Sequence, residues 1–117
     1  MARVKGSVGS HQRHKKVLES NKGYRGTKSR LVKVAKEAQL HAGQYAYEGR
    51  KRRKRDFRQL WITRIGEAVK GYGLNYSQFM FKMKKANINL DRKILAHYVT
   101  EEPETFKAIV EKVKEVS

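Results

Sequence analysis

Arg50, Lys51, Arg52, Arg53, Lys54 and Arg55 follow one another without a break, and no proline between Thr27 and Tyr72 interrupts a helix around them. At about 100° per residue, such a run points its side chains in every direction around a helix. No protein core can receive that surface, so the segment has to face water or a polyanion. The periodicity on either side is helical. Leu31, Ala35, Ala38, Ala42 and Tyr45 recur at spacings of three or four, and Phe57, Trp61, Ile65, Ala68 and Tyr72 do the same beyond the basic run. Thr27 or Ser29 is available as an N-cap, and Gly71 and Gly73 allow a left-handed cap at the far end. The pattern predicts one nearly continuous helix over Thr27 to Tyr72, 46 residues (72 − 27 + 1). At the α-helical rise this is about 70 Å, against a radius of gyration of about 13–14 Å for a compact domain of this chain length, so the rod is expected to project.

Charge is distributed unevenly. Residues 1 to 58 hold 18 Lys or Arg against 4 acids, a net of +14, whereas residues 59 to 117 hold 10 against 7, a net of +3. The front half is therefore the electrostatic footprint, and self-repulsion on this scale is relieved most simply by nucleic acid. A membrane is a poorer partner, because no apolar run approaches the about 20 residues needed to span one and the basic segments lack large apolar faces. Met1 to Gly9 is basic and has no apolar stretch, so no secretory leader is expected. The chain contains no cysteine, which excludes disulfides and thiolate metal sites and agrees with a reducing compartment.

From Met1 to Gly26 the apolar residues are few, chiefly Val4, Val8, Val17 and Leu18. Such a segment cannot bury enough surface to offset its ordering entropy. It is expected to be mobile when free, with a short helix near His11 to Ser20, and to order against a partner. The small residues Ala35, Ala38, Ala42, Gly43 and Ala46 suit either close approach of a nucleic-acid backbone or packing against another helix, and spacing alone does not separate the two. After the rod, Asn75 and Gln78 have capping-box spacing ahead of Tyr76, Phe79, Met80 and Met83, and Asn87 can close that helix. Asp91 is an N-cap for Ile94, Leu95 and Tyr98, and Thr100 with Glu101, Glu102 and Pro103 opens a last helix carrying Phe106, Ile109, Val110 and Val113. These faces are expected to close over Trp61, Ile65, Ala68 and Tyr72.

Catalytic chemistry has no candidate constellation. His11 and His14 have no cysteine or carboxylate close in sequence to complete a metal site, so phosphate contact suits them better. The Walker lysine loop, the dinucleotide fingerprint and the nucleophile elbow are all absent. Converging carboxylates for nuclease-type catalysis are absent too: Asp56 sits among cations, and Glu101, Glu102 and Glu104 read as first-turn helix acids. No cofactor, metal or small-molecule substrate is expected.

Seven stretches carry a family likeness: His14-Lys-Lys-Val-Leu18, Lys22-Gly-Tyr-Arg-Gly26, Ser29-Arg-Leu31, Ala42-Gly-Gln-Tyr-Ala-Tyr47, Lys54-Arg-Asp-Phe-Arg-Gln-Leu-Trp-Ile62, Gly73-Leu-Asn-Tyr-Ser77 and Asp91-Arg-Lys-Ile-Leu-Ala96. Together they make the chain resemble the bacterial-type large-subunit ribosomal protein L-twenty family over nearly its whole length. The resemblance implies a basic extended tail, a long helix running through ribosomal RNA and a small helical domain lying on that RNA. It also implies a part in early large-subunit assembly, no role in peptide-bond chemistry and, as in some members, repression of translation of its own messenger RNA. The chain departs from the family at Ser7-Val-Gly-Ser-His-Gln12, where the tail is usually richer in arginine. It departs again at Glu48-Gly49, where a basic and an acidic residue are usual, so phosphate contact is not carried over to Glu48. Gly49 and Gly66 each cost a helix interior about 1 kcal/mol relative to Ala, which makes residue 49 a place for a bend.

The expected architecture is all-α: a basic extended N-terminal tail (1–26) ordered by RNA, a basic long-helix segment (27–58) and a small helical globular domain (59–117) that includes the end of the long helix. Expected RNA contacts in the tail are Arg3, Lys5, His11, Arg13, His14, Lys15, Lys16, Lys22, Tyr24 and Arg25. Along the rod they are Lys28, Arg30, Lys33, Tyr45, Tyr47, Arg50, Lys51, Arg52, Arg53, Lys54, Arg55 and Arg58, with cations on phosphates and tyrosines stacked on unpaired bases. The partners are large-subunit ribosomal RNA and neighbouring ribosomal proteins, in a cytoplasmic ribosome or, alternatively, an organellar one. A basic architectural DNA-binding protein is the rival reading. It calls for apolar wedges at the tip of a basic element, whereas these aromatics lie along helical stripes.

Overall fold

A computed structural model of the chain describes Arg3 and residues 5–116. Met1, Ala2, Val4 and Ser117 lie outside the described residues, Val4 being one of the few apolar residues of the tail. All regular structure among the described residues is helical, and it divides into two compact units, Met1–Lys51 and Arg52–Ser117, with one helix contributing to both.

In the first unit, α1 (Val8–Ser20) starts where the Ser7 hydroxyl accepts the Ser10 N–H at 3.2 Å. It is longer than the short helix expected at His11, yet it has no fully buried residue. Only Ser10, Val17 and Leu18 are partly covered. A 3₁₀ turn (Gly26–Ser29) follows, and then α2 (Val32–Lys70, 39 residues). The single helix from Thr27 to Tyr72 is thus broken near its start. Arg30 leaves helical geometry (φ −121°), the Thr27 carbonyl accepts both the Arg30 and Leu31 N–H groups, and the Lys28 carbonyl is taken by the side-chain amide of Asn21 at 3.3 Å. Neither Thr27 nor Ser29 caps α2, because both belong to the preceding turn. From Val32 the α-helix runs on through Gly49 and Gly66 to Lys70 without interruption.

The second unit is the end of α2 with α3 (Tyr76–Lys85), α4 (Arg92–Glu101) and α5 (Pro103–Lys114). Ile65 and Val69 from α2, Phe79 and Met83 from α3, Leu95 and Ala96 from α4, and Phe106, Val110 and Val113 from α5 form its buried core, with Trp61, Ala68 and Tyr72 partly buried against it. The anticipated α2 stripe is therefore the packing face from Trp61 onward. Phe57 falls outside it and is 44% exposed.

The boundaries follow local chemistry. Helix α2 ends in a Schellman cap: Gly73 takes φ +80°, its N–H bonds the Lys70 carbonyl, and Leu74 N–H reaches back to Val69. Asn87 repeats the arrangement at φ 56° after α3, with Ile88 N–H on the Met83 carbonyl. The Asn75 and Gln78 capping box forms in both directions, and Asp91 caps Ile94 at 2.9 Å. Helix α5 opens with Pro103 in its first turn after Glu102, whereas Thr100 lies inside α4 and bonds back to the Ala96 and His97 carbonyls.

Candidate nucleic-acid interface

Every residue from Gly43 to Leu60 is exposed on α2, including all six cations of the basic run and Arg58. Among the described residues none of these cations makes an ion pair. Ion pairs lie elsewhere, His41 with Glu37 at 3.9 Å and Lys70 with Glu67 at 2.6 Å, both between exposed groups on the same helix. Glu48, the acid nearest in sequence before the run, takes a hydrogen bond from the Gln44 amide at 3.0 Å instead. The basic run touches aromatic rings: Lys51 Nζ lies 5.3 Å from the centre of the Tyr47 ring, and the Arg53 guanidinium 5.8 Å from that of Phe57. Cation–π contacts of this kind attract the cation without neutralising its charge.

The cations expected nearer the N-terminus are also exposed. Arg3 and Lys5 precede α1, and His11, Arg13, His14, Lys15 and Lys16 lie on it. Lys22, Tyr24 and Arg25 occupy the connection, Lys28 the 3₁₀ turn, Arg30 its end, and Lys33 the first turn of α2. The fold gathers several of them. Arg13, His14 and Lys16 line one concavity with Lys36 from α2. Tyr24 and Lys28 line another with Ala38, His41, Ala42 and Tyr45, where the His41 and Tyr45 rings stack at 6.0 Å. Of the small-residue stripe, Ala35 is fully buried beneath the Asn21 amide, while Gly43 and Ala46 stay exposed.

In the second unit, Lys54, Arg55, Phe57, Arg58 and Trp61 of α2 line a cleft together with Lys93 of α4. Among the described residues, no group of three or more His, Cys, Asp or Glu is placed to hold a metal ion, and no helix is long and apolar enough to cross a membrane.

Residues 3–109 match the sequence pattern of a family described as Ribosomal protein L20. The chain belongs to the ribosomal protein L20 family. It is similar to the large ribosomal subunit protein bL20 of Buchnera aphidicola subsp. Acyrthosiphon pisum (strain 5A), 52% identical over 115 residues and 98% of each chain. The same-named protein of Roseiflexus sp. (strain RS-1) is 52% identical over 98% of each chain, and that of Wigglesworthia glossinidia brevipalpis 49% over 100% of each. As a ribosomal protein L20 family member the chain is a structural constituent of the ribosome and not an enzyme.

Two features of this L20 chain escape sequence reasoning. Lys93 carries no signal of its own, because only the fold brings it to the cleft that Phe57 and Trp61 line. Asn21 belongs to the stretch expected to be mobile, yet it is completely buried. The single signal for Asn21 is an amide side chain just after a helical pattern, which ordinarily indicates no more than a helix end.

Proposed function

We propose that the chain binds large-subunit ribosomal RNA directly, through the exposed cations of the tail, the 3₁₀ turn and α2, and supports early assembly of the large subunit beside neighbouring ribosomal proteins. The observation that carries this is the basic run. Arg50 to Arg55 are consecutive on an unbroken helix, all are exposed, and no carboxylate among the described residues pairs with them. Charges pointing all round one rod neutralise phosphates arriving from several directions, as happens where RNA helices crowd together. Such a rod lowers the repulsion between those RNA segments and is most useful before they have compacted. Tyr45 and Tyr47, 66% and 53% exposed, supply stacking surfaces for unpaired bases along the same helix. A DNA-bending role would instead call for an apolar wedge at a tip, whereas these rings lie along the helix side.

Titration of the full chain against a structured large-subunit RNA fragment and a DNA duplex of matched length tests this reading. Tighter binding to the RNA at physiological salt is expected, together with retention on the large subunit through a high-salt wash. Equal affinity for both, with release in the wash, would leave only a general polyanion binder.

A further inference from the structure

We propose that Phe57, Trp61 and Lys93 form a seat for one unpaired RNA nucleotide, the base lying on the two rings and the phosphate on Lys93. The seat rests on the RNA-binding reading above and adds to it a defined position on the second unit. Three observations lead there. The Phe57 and Trp61 rings stack at 6.2 Å with an interplanar angle of 29°, and the Arg53 guanidinium lies 5.8 Å from the centre of the Phe57 ring. The result is a ladder of flat π surfaces along one side of α2.

Phe57 is 44% exposed and Leu60 41%, although the buried core begins on the same helix at Ile65. The apolar surface here is left uncovered beside that core. Finally, the cleft that these rings line, about 590 Å³, is also lined by Lys54, Arg55, Arg58 and Lys93, with no acid among its lining residues. An occupant that is flat and apolar in one part and anionic in another fits that lining. A nucleotide has this form, and stacking accepts any base because every base has a π face. A peptide rich in acidic residues shares only the charge.

The chain has a single tryptophan, Trp61, so its emission reports on the seat directly. Titrating the full chain with a structured large-subunit RNA fragment should quench Trp61 in step with binding followed by anisotropy. Phe57→Leu keeps apolar bulk at an exposed position and removes the ring, and Lys93→Gln removes one charge from the exposed first turn of α4. Each variant should bind about ten-fold more weakly, within the range for removing one stacked base or one phosphate interaction. Lys93→Gln should also reduce the slope of log K against log salt by about 0.7–0.9, whereas Phe57→Leu should leave the slope unchanged. The double variant should lose less than the product of the two, because both report on one nucleotide.

Wild-type affinity in both variants with unmoved Trp61 emission, while the RNA still binds, would overturn the seat and leave the RNA-binding reading intact. Emission that responds to a polyglutamate peptide and not to RNA would overturn it in favour of an acidic protein segment. Failure of the wild-type chain to bind the RNA at any salt would remove the RNA-binding reading and the seat together.

Discussion

The side-chain amide of Asn21 donates a hydrogen bond to the backbone carbonyl of Ala35 at 2.6 Å, across fourteen residues of sequence. Asn21 is wholly buried, its amide also reaches the Lys28 carbonyl at 3.3 Å, and its Oδ1 accepts from the Ser20 hydroxyl. One polar side chain thereby fastens the end of α1, the 3₁₀ turn and the first turns of α2 in a region with almost no apolar core. Every hydrogen-bonding capacity it uses is local to that junction, so it acts as the staple of the first unit.

Asn21→Ala should therefore release α1. The variant leaves two carbonyls without this donor and a void where the amide lay, a loss of about 1–3 kcal/mol. That is large for a helix with no buried residue of its own. Hydrogen exchange on the free chain should show α1 amides exchanging sooner than those of α3 to α5 in the wild type, and at nearly unstructured rates in the variant. Unchanged protection of α1 in the variant would mean that something other than this amide holds the helix.

Replacing Arg52, Arg53 and Arg55 with Gln should separate binding from stability. All three are exposed, so thermal unfolding of the full chain should hardly move. The salt dependence of RNA binding should flatten by about 0.7–0.9 in log–log slope for each phosphate that is no longer neutralised. An unchanged slope would assign the basic run to solvent.

Trp61 and Phe57 stack on one another but differ in burial, so truncating them should differ in effect. Trp61 is partly buried against the core, and Trp61→Ala should cost about 2–3 kcal/mol, less than a fully enclosed aromatic loses. Phe57→Ala should cost under about 1 kcal/mol, because the ring is nearly half exposed. Thermal and denaturant unfolding of both variants checks the order.

Two glycine substitutions should have opposite signs. Gly73 sits at φ +80°, where an added Cβ is strained, so Gly73→Ala should destabilise the α2 cap by about 1–2 kcal/mol. Gly49 lies inside α2 with open space around its missing Cβ, so Gly49→Ala should raise helix stability by up to about 1 kcal/mol. Circular dichroism melts read both. A stabilised Gly73→Ala would contradict the left-handed cap.

Much of this chain is readable along its length because the relevant physics is local. The caps at Asn75, Gly73, Asn87 and Asp91 depend on residues a few positions apart, and the stripe from Trp61 to Tyr72 depends on helical periodicity. The exposure of Arg50 to Arg55 follows from charge pointing all round a helix, which no packing arrangement can bury. The departures lie where distant residues meet. Periodicity continues α2 back to Thr27, but Asn21 draws the Lys28 carbonyl into a different hydrogen bond and the helix starts at Val32 instead. Phe57 fits the same stripe as Trp61, yet only Trp61 is partly buried against the core, and both rings line the cleft that Lys93 of α4 shares. Spacing along a helix specifies which side chains share a face, whereas what covers that face depends on contacts between segments far apart in sequence.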